Sequence, residues 1–186
     1  MKNKSVIIII FFAFSLTIYS QQSEKYLELT KNLKPIDSVI KIKKYRNGKT
    51  KQISKFLVYE NGEYNYDLMS DKQQLFNKKG ELIFEQLYDS FGILLYQKQF
   101  NEFGEIYKII ETNRIELKKN ISVEELFTTN KNIIIESFEK EFNNTEKGEK
   151  LKLWKAGKRL NGKKIGEWKI YNLCDNTSKI KKYKDN

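Results

Sequence analysis

Acidic residues are the first candidates for chemistry in this sequence. Glu102 and Glu105 flank a glycine, and Glu124 and Glu125 follow a serine. A glycosidase needs two carboxylates about 5–9 Å apart across a cleft, and neither spacing indicates such a cleft. A turn accounts for the first pair, and stabilisation of a helix N-terminus accounts for the second. We therefore predict that the protein is not an enzyme.

Nucleophile and metal chemistry have little support. The chain contains no histidine, which excludes Ser–His and Cys–His nucleophile pairs and His-ligated metals. Its single cysteine, Cys174, is either a small buried hydrophobe or a thiol that pairs between chains. Asp67, Asp71 and Asp89 lack the spacing of a calcium loop, and the glycines do not form a phosphate-binding loop. We expect no cofactor and no metal site.

Basic residues indicate what the protein could bind. The formal net charge of the 186 residues is +11, which favours anionic partners such as a membrane surface or an acidic glycan. Ordinary solubility charge is the alternative, as is an edge strand that lysines protect from pairing. The candidate contacts to an anionic surface are Lys163, Lys164, Lys179, Lys181, Lys182 and Lys184.

The N-terminus has the order of a secretory signal peptide. Lys2 and Lys4 precede an unbroken apolar run at 6–14, and Ser20 precedes two glutamines. The run is shorter than the roughly 20 residues that span a bilayer; an uncleaved anchor helix is the alternative. We predict a signal peptide at 1–20 and an exported protein that is periplasmic, secreted or peripheral to the envelope. No cysteine indicates lipidation there, and export argues against nucleic acid as a partner.

A 12-residue repeat occupies residues 75–110, with the units LFNKKGELIFEQ, LYDSFGILLYQK and QFNEFGEIYKII. Asn or Asp, two variable residues and Gly predict turns at 77–80, 89–92 and 101–104. The polar side chain can bond to its own backbone in such a turn, and Gly accepts a positive φ. A turn that ends on a left-handed Gly is typical of a hairpin with a bulge.

Each unit is therefore expected to add one strand to an antiparallel meander, with strands at 81–88 and 93–100. Because 12 is even, every unit should present the same face. Function in this region is expected at the variable turn tips, Lys78, Ser90 and Glu102. The predicted core side chains are Leu82, Phe84, Tyr88, Leu94, Tyr96, Phe100, Ile106 and Ile110.

Similar signals extend the pattern in both directions. Tyr-x-Asn-Gly occurs at 45–48 and 59–62, and Asn-Gly recurs at 161–162, which predicts further hairpins. The segment from 178 to the C-terminus is expected to be a terminal strand. The predicted structural turn glycines are Gly48, Gly62, Gly80, Gly92, Gly104, Gly162 and Gly166.

Two short helices are expected beside the sheet. One lies around 24–32, and the other at 123–128 begins with the capping box of Ser122 and Glu125. Apolar spacing favours helix at 129–142, whereas three consecutive isoleucines favour strand. The chain is predicted to be one mainly β domain, 21–186, with a helical insertion at 121–142 and a loop at 143–150. Its architecture is an elongated meander of repeated hairpins.

The segment NGKKIGEWKIYN at 161–172 resembles the bacterial variant of the MORN repeat, also found in YwqK-type antitoxin-like proteins. Gly166, Trp168 and Tyr171 match its Gly-x-Trp-x-x-Tyr unit. The leader is similar to those of exported proteins from Bacteroidetes-type bacteria. This resemblance implies a non-catalytic scaffold that presents a surface to another molecule, most simply an unknown protein. A peripheral binder of anionic membrane or glycan is the alternative, and the oligomeric state stays open.

Overall fold

The structure, a computed structural model, describes residues 22–144, 150–175 and 177–184. The predicted signal peptide lies outside the described residues, as does 145–149 of the predicted loop. The described chain forms one ten-stranded antiparallel sheet whose strands follow each other in sequence order, with two short helices. This confirms the predicted mainly β meander.

Helix α1 spans Glu24–Thr30 and helix α2 spans Val123–Thr128. The segment whose state the sequence left open is a strand from Ile133, so the predicted helical insertion is confined to α2. Neither helix is long and apolar enough to cross a membrane. The strands are β1 (Asp37–Lys44), β2 (Thr50–Asn61), β3 (Tyr64–Phe76), β4 (Leu82–Tyr88), β5 (Leu94–Phe100), β6 (Ile106–Leu117), β7 (Ile133–Asn143), β8 (Lys152–Leu160), β9 (Lys163–Tyr171) and β10 (Ser178–Tyr183).

Turns occur at all three positions that the repeat predicts. In each turn, the side-chain oxygen of Asn77, Asp89 or Asn101 accepts the backbone N–H groups two and four residues later. Gly80, for example, ends its turn at a φ of 91°, which costs less for glycine than for a residue with a Cβ. All seven predicted turn glycines have a positive φ.

Each hairpin of the repeat also contains a β-bulge, as a left-handed glycine at the end of the turn predicts. Between β4 and β5, Tyr88 pairs with Leu94. The next pair is Leu87 with Tyr96, so Leu95 is the extra residue. The same shift of register occurs in the two neighbouring hairpins.

The register shows that the prediction of one common face was wrong. Directly opposite residues of an antiparallel pair share a face, and Gln86 pairs with Gln97. Because this offset is odd, equivalent positions of successive units lie on opposite faces. Phe84 is thus opposite Gln99, whereas Tyr96, its equivalent in the next unit, lies on the other side. The turn and its bulge together set the odd offset, which strand alternation alone did not reveal.

One side of the sheet, which we call the core face, contains Ile133, Ser137 and Glu139 of β7. The part of this face that the two helices cover is apolar. The part that they leave uncovered, around Glu139, is charged. Each fully buried side chain of the apolar part contributes about 1.5–3 kcal/mol. The buried cluster consists of Tyr26, Tyr59, Ile93, Ile115, Leu117, Ile121, Leu126, Phe127 and Ile133.

The middle repeat carries Asp where the other two carry Asn, and α1 explains the difference. The Tyr26 hydroxyl donates to Asp89 Oδ2 at 2.6 Å, and Gln22 Nε2 donates to the same oxygen at 3.3 Å. Burial raises the pKa of Asp89, although these hydrogen bonds and two from the backbone oppose the shift. In the other two turns, Asn77 and Asn101 instead donate to a glutamate. Asp89, in place of the Asn of the other two repeats, therefore links α1 to the sheet.

Candidate functional site

An open groove of about 640 Å³ lies at the ends of β6 and β7 that are distant from α2. The β5–β6 turn supplies Glu102 and Phe103, and the start of β8 supplies Trp154. Tyr107 and Phe142 complete an aromatic lining. Phe103 is 60% exposed, so the groove presents apolar surface directly to solvent.

A second groove of about 530 Å³ adjoins the first, and Trp154 lines both. The loop between β9 and β10 forms its other wall, with Tyr171, Cys174 and Lys179. We call the two depressions together the Trp154 groove. Trp154 lies at a shift of register, because Glu141 pairs with Lys155 but the next residue of β7 pairs with Leu153. The bulge therefore places the indole between the two depressions.

A cluster of charged side chains adjoins this groove on the core face. Glu139 is fully buried, and its Oε2 lies 2.7 Å from Arg159 Nε and 3.1 Å from Lys108 Nζ. At these distances the groups are in ion-pair contact. However, neither Glu139 oxygen nor Arg159 Nε has a hydrogen bond of acceptable geometry. We therefore regard these contacts as electrostatic ones that depend on all three side chains being present.

Glu141 connects the charged cluster to the groove that it lines. Lys155 Nζ lies 2.7 Å from one of its oxygens and Lys108 Nζ lies 3.3 Å from the other. Burial would raise the pKa of Glu141, but the hydrogen bond from Lys155 and the charges of the two lysines outweigh it and lower the pKa to about 2. Glu141 is therefore ionised at neutral pH, and it holds Lys155 Nζ 4.1 Å from the centre of the Trp154 ring.

This arrangement can bind but offers little for proton transfer. A general acid needs a pKa near the working pH, and that of Glu141 is far below neutrality. Within the described residues, no group of three or more acidic or cysteine side chains could hold a metal ion. What the groove offers is exposed aromatic surface beside fixed charges, the usual composition of a binding site.

The predicted lysine patch is divided by the sheet. Lys164 pairs with Arg159 across β8 and β9, and Lys181 pairs with Trp168 across β9 and β10. Lys179 lies on the same face by alternation. These three lysines thus share the core face.

Other predicted lysines lie on the opposite face. Lys182 pairs with Glu167, 3.1 Å away, and Lys163 is adjacent to Lys164 and so points to the other side. Lys184 follows the last strand. Of the six lysines, Lys179 is the one that lines the Trp154 groove.

The acidic pairs considered for catalysis do not converge. Glu105 accepts a hydrogen bond from Asn101 Nδ2 at 3.0 Å, whereas Glu125 completes the capping box of α2 with Ser122. Glu102 lines the groove. Cys174 is exposed, so the first of its two alternatives, a buried hydrophobe, was wrong.

Sequence reasoning missed the charged cluster. Alternation does place Glu139 and Glu141 on the side of β7 that carries Ile133, which contradicts an entirely apolar core. That signal was present in the sequence, but the lysine and arginine partners come from β6 and β8 and no local pattern identifies them. Comparison with protein-family models, curated proteins and solved structures found no match.

Proposed function

We propose that the protein is a non-catalytic, exported β-repeat interaction module of the cell envelope that binds a protein partner through the Trp154 groove. The observation that carries this proposal is the convergence of Phe103, Tyr107, Phe142 and Trp154 at one end of the sheet. Aromatic anchors in a solvent-accessible depression are typical of binding hot spots. The ion-paired Glu141 and Lys155 beside them would contribute orientation.

Export and family are further parts of the proposal. The order of charged, apolar and small residues at 1–20 supports a signal peptide. The Asn-Gly and Gly-x-Trp-x-x-Tyr units at 161–171 support a relationship to MORN-variant repeats. A meander of ten strands agrees with a scaffold role, because each hairpin adds surface without the need for a closed cleft.

The test is capture of partners from the envelope fraction of the source cell by the protein with its own leader, purified after export. We expect one stoichiometric partner, which Trp154→Ala should lose. Tyr64→Ala is the matched control, since Tyr64 is 68% exposed and lies outside both depressions. Tyr64→Ala should unfold at the wild-type temperature, and circular dichroism should show that Trp154→Ala, at a half-buried residue, is folded under the conditions of the capture. Equal retention by Trp154→Ala and wild type would refute the groove as the binding surface.

The second candidate function is contact with an anionic membrane or glycan surface. Lys164, Lys179 and Lys181 favour it, because they lie on one face beside Trp168 and Tyr183. Lys164 Nζ lies 4.1 Å from the centre of the Trp168 ring.

Anionic vesicles test this alternative. Binding that is strong at low salt and lost at high salt would support it, because salt screens exposed charges. Charge reversal of Lys179 and Lys181 should abolish such binding. Charge reversal of Lys163 and Lys182, on the opposite face, should have less effect. Vesicle binding that neither charge-reversal variant changes would contradict this second candidate function.

A further inference from the structure

Strand β1 forms one edge of the sheet. Its inner side pairs with β2 from Asp37 to Lys44, and no strand of the described chain pairs with its outer side. An edge strand offers a row of backbone N–H and C=O groups to any further strand. Proteins normally shield such edges, so the side chains along β1 decide whether it is protected or receptive.

Two isoleucines make this edge unusually apolar. Ile40 is 67% exposed and Ile42 is 58% exposed. Both lie on the same side of β1 as Ser38, since strand residues alternate. Ser38 is opposite Leu57, which packs against the buried core. The isoleucines therefore continue the core side of the sheet to an edge where nothing in the described chain covers them.

The other side of β1 carries Asp37 and Val39 at its start and lysines towards its end. Lys41 Nζ lies 2.7 Å from Asp67 Oδ2 and 4.5 Å from the centre of the Phe56 ring, so its charge is already balanced. Lys43, two residues later, shares that side, and Lys44 follows it. Neither Lys43 nor Lys44 has an ion pair within the described residues. The strand thus carries an apolar row on one side, and the uncompensated positive charge of Lys43 lies on the other.

The charge of the second free edge argues against pairing between copies of this chain. Strand β10 contains Lys179, Lys181 and Lys182 and forms the opposite edge of the sheet. Pairing of β1 with β10 of another copy would bring lysines together, and the formal net charge of +11 opposes the association of two copies in general. Like charges directly opposite each other destabilise a strand pair. An acidic strand would not meet this repulsion.

We propose that β1 accepts an additional β-strand from an acidic partner protein, in an extended segment in which apolar residues alternate with Asp or Glu. Backbone hydrogen bonds to the free edge would supply much of the affinity, as in other cases of strand addition. The apolar side chains of the added strand would cover Ile40 and Ile42. Its carboxylates would face Lys43, whose charge is uncompensated. The edge of β1 is separate from the Trp154 groove, so each proposal can be refuted without affecting the other.

The probe is a labelled synthetic peptide of alternating valine and glutamate that matches the eight residues of β1. Its binding to the exported full protein is measured by fluorescence anisotropy, beside a valine–lysine peptide of equal length. We expect the acidic peptide to bind at least about tenfold more tightly, and its affinity to fall as salt rises. A version with N-methylated backbone amides should not bind, because it cannot complete the strand ladder.

Variants locate the site. Ile40→Lys should weaken binding of the acidic peptide by about tenfold or more. It replaces an apolar contact with a charge on the side of β1 that the valines of the peptide would cover. Ile180→Lys, at a 60% exposed isoleucine of β10, is the matched control and should leave binding unchanged. Trp154→Ala should also leave it unchanged. Since Ile40 and Ile180 are exposed, these two variants should retain the wild-type unfolding temperature.

Three results would overturn the proposal. Equal affinity for the acidic and basic peptides would show that charge does not select the partner. Loss of binding in Ile180→Lys but not in Ile40→Lys would assign the peptide to β10. Concentration-dependent dimerisation without peptide that Ile40→Lys abolishes would show that a second copy occupies the edge.

Discussion

Gly157 is where β8 passes beneath the ring of Trp168, and replacement of this glycine by alanine tests the packing of the sheet. A Cβ at Gly157 would lie 2.5 Å from the Cγ and Cδ2 atoms of Trp168. Carbon atoms in contact are normally about 3.5–4.0 Å apart, so the ring would have to move by about 1 Å. Trp168 is only 1% exposed, and its ring has little room to do so.

The cost of Gly157→Ala follows from three terms. Overpacking costs about 1–3 kcal/mol. Displacement of the indole would weaken the hydrogen bond from Trp168 Nε1 to Lys158 O, now 3.0 Å long, at about 1 kcal/mol. Alanine in a strand is otherwise favoured over glycine by about 0.5–1 kcal/mol. We therefore expect a net loss of about 1–3 kcal/mol in the free energy of unfolding.

Urea unfolding, followed by far-ultraviolet circular dichroism and tryptophan fluorescence, measures this loss. The midpoint should fall while the slope against urea stays constant, because the exposed area on unfolding does not change. A double-mutant cycle isolates the cause. In a Trp168→Leu background, which vacates the space above the strand, Gly157→Ala should be neutral or stabilising. Unchanged stability of Gly157→Ala in the wild-type background would refute the packing argument.

Three further predictions concern the turn at Gly92, the contact of Asp89 with α1 and the buried carboxylate of Glu139. Gly92→Val should lower the unfolding temperature, because valine at a φ of 84° is strained by about 1–2 kcal/mol or more. For Asp89, burial raises the folded pKa above the unfolded value, so its contribution to stability is present at low pH and declines as pH rises through the folded pKa. Asp89→Asn should therefore gain stability relative to wild type as pH is raised from about 4 to 7, measured by urea unfolding. Glu139→Ala should cost about 3–5 kcal/mol in the same assay, because it leaves the largely buried Arg159 without its carboxylate partner.

Each of these predictions has a control or a contradicting result. Gly92→Asn should be tolerated better than Gly92→Val, since asparagine adopts positive φ more readily. A difference between wild type and Asp89→Asn that is constant over the pH range would contradict the assigned pKa direction. For Glu139→Ala the control is Glu167→Ala, which removes an exposed ion pair with Lys182 and should cost no more than about 1 kcal/mol.

The turns of this protein could be predicted because their causes are local. Asn77 and Asn101 bond to backbone atoms within four residues, and Gly80 adopts its positive φ regardless of what lies elsewhere in the chain. The same holds for α2, which begins where Ser122 and Glu125 cap each other. Interactions over so short a distance leave a readable pattern in the sequence.

The charged cluster and the groove could not be predicted, because their parts come from distant strands. Arg159 and Lys108 are 51 residues apart in sequence, and both contact Glu139. The face to which each side chain points depends on register, and one odd offset reversed the expected faces of Phe84 and Tyr96. Register results from turn, bulge and core packing acting together, so a count along the chain does not reveal it.

The sequence by itself determined a meander of hairpins, its turn positions and two short helices, one of them with its cap, since these depend on backbone conformation within a few residues. Only the tertiary structure decided which side of the sheet is buried, that Trp154 separates two depressions, and that Ile40 and Ile42 lie uncovered at an edge. These features depend on which strands become neighbours and in what register. Side chains far apart in sequence then share one surface, and that surface is where we expect binding.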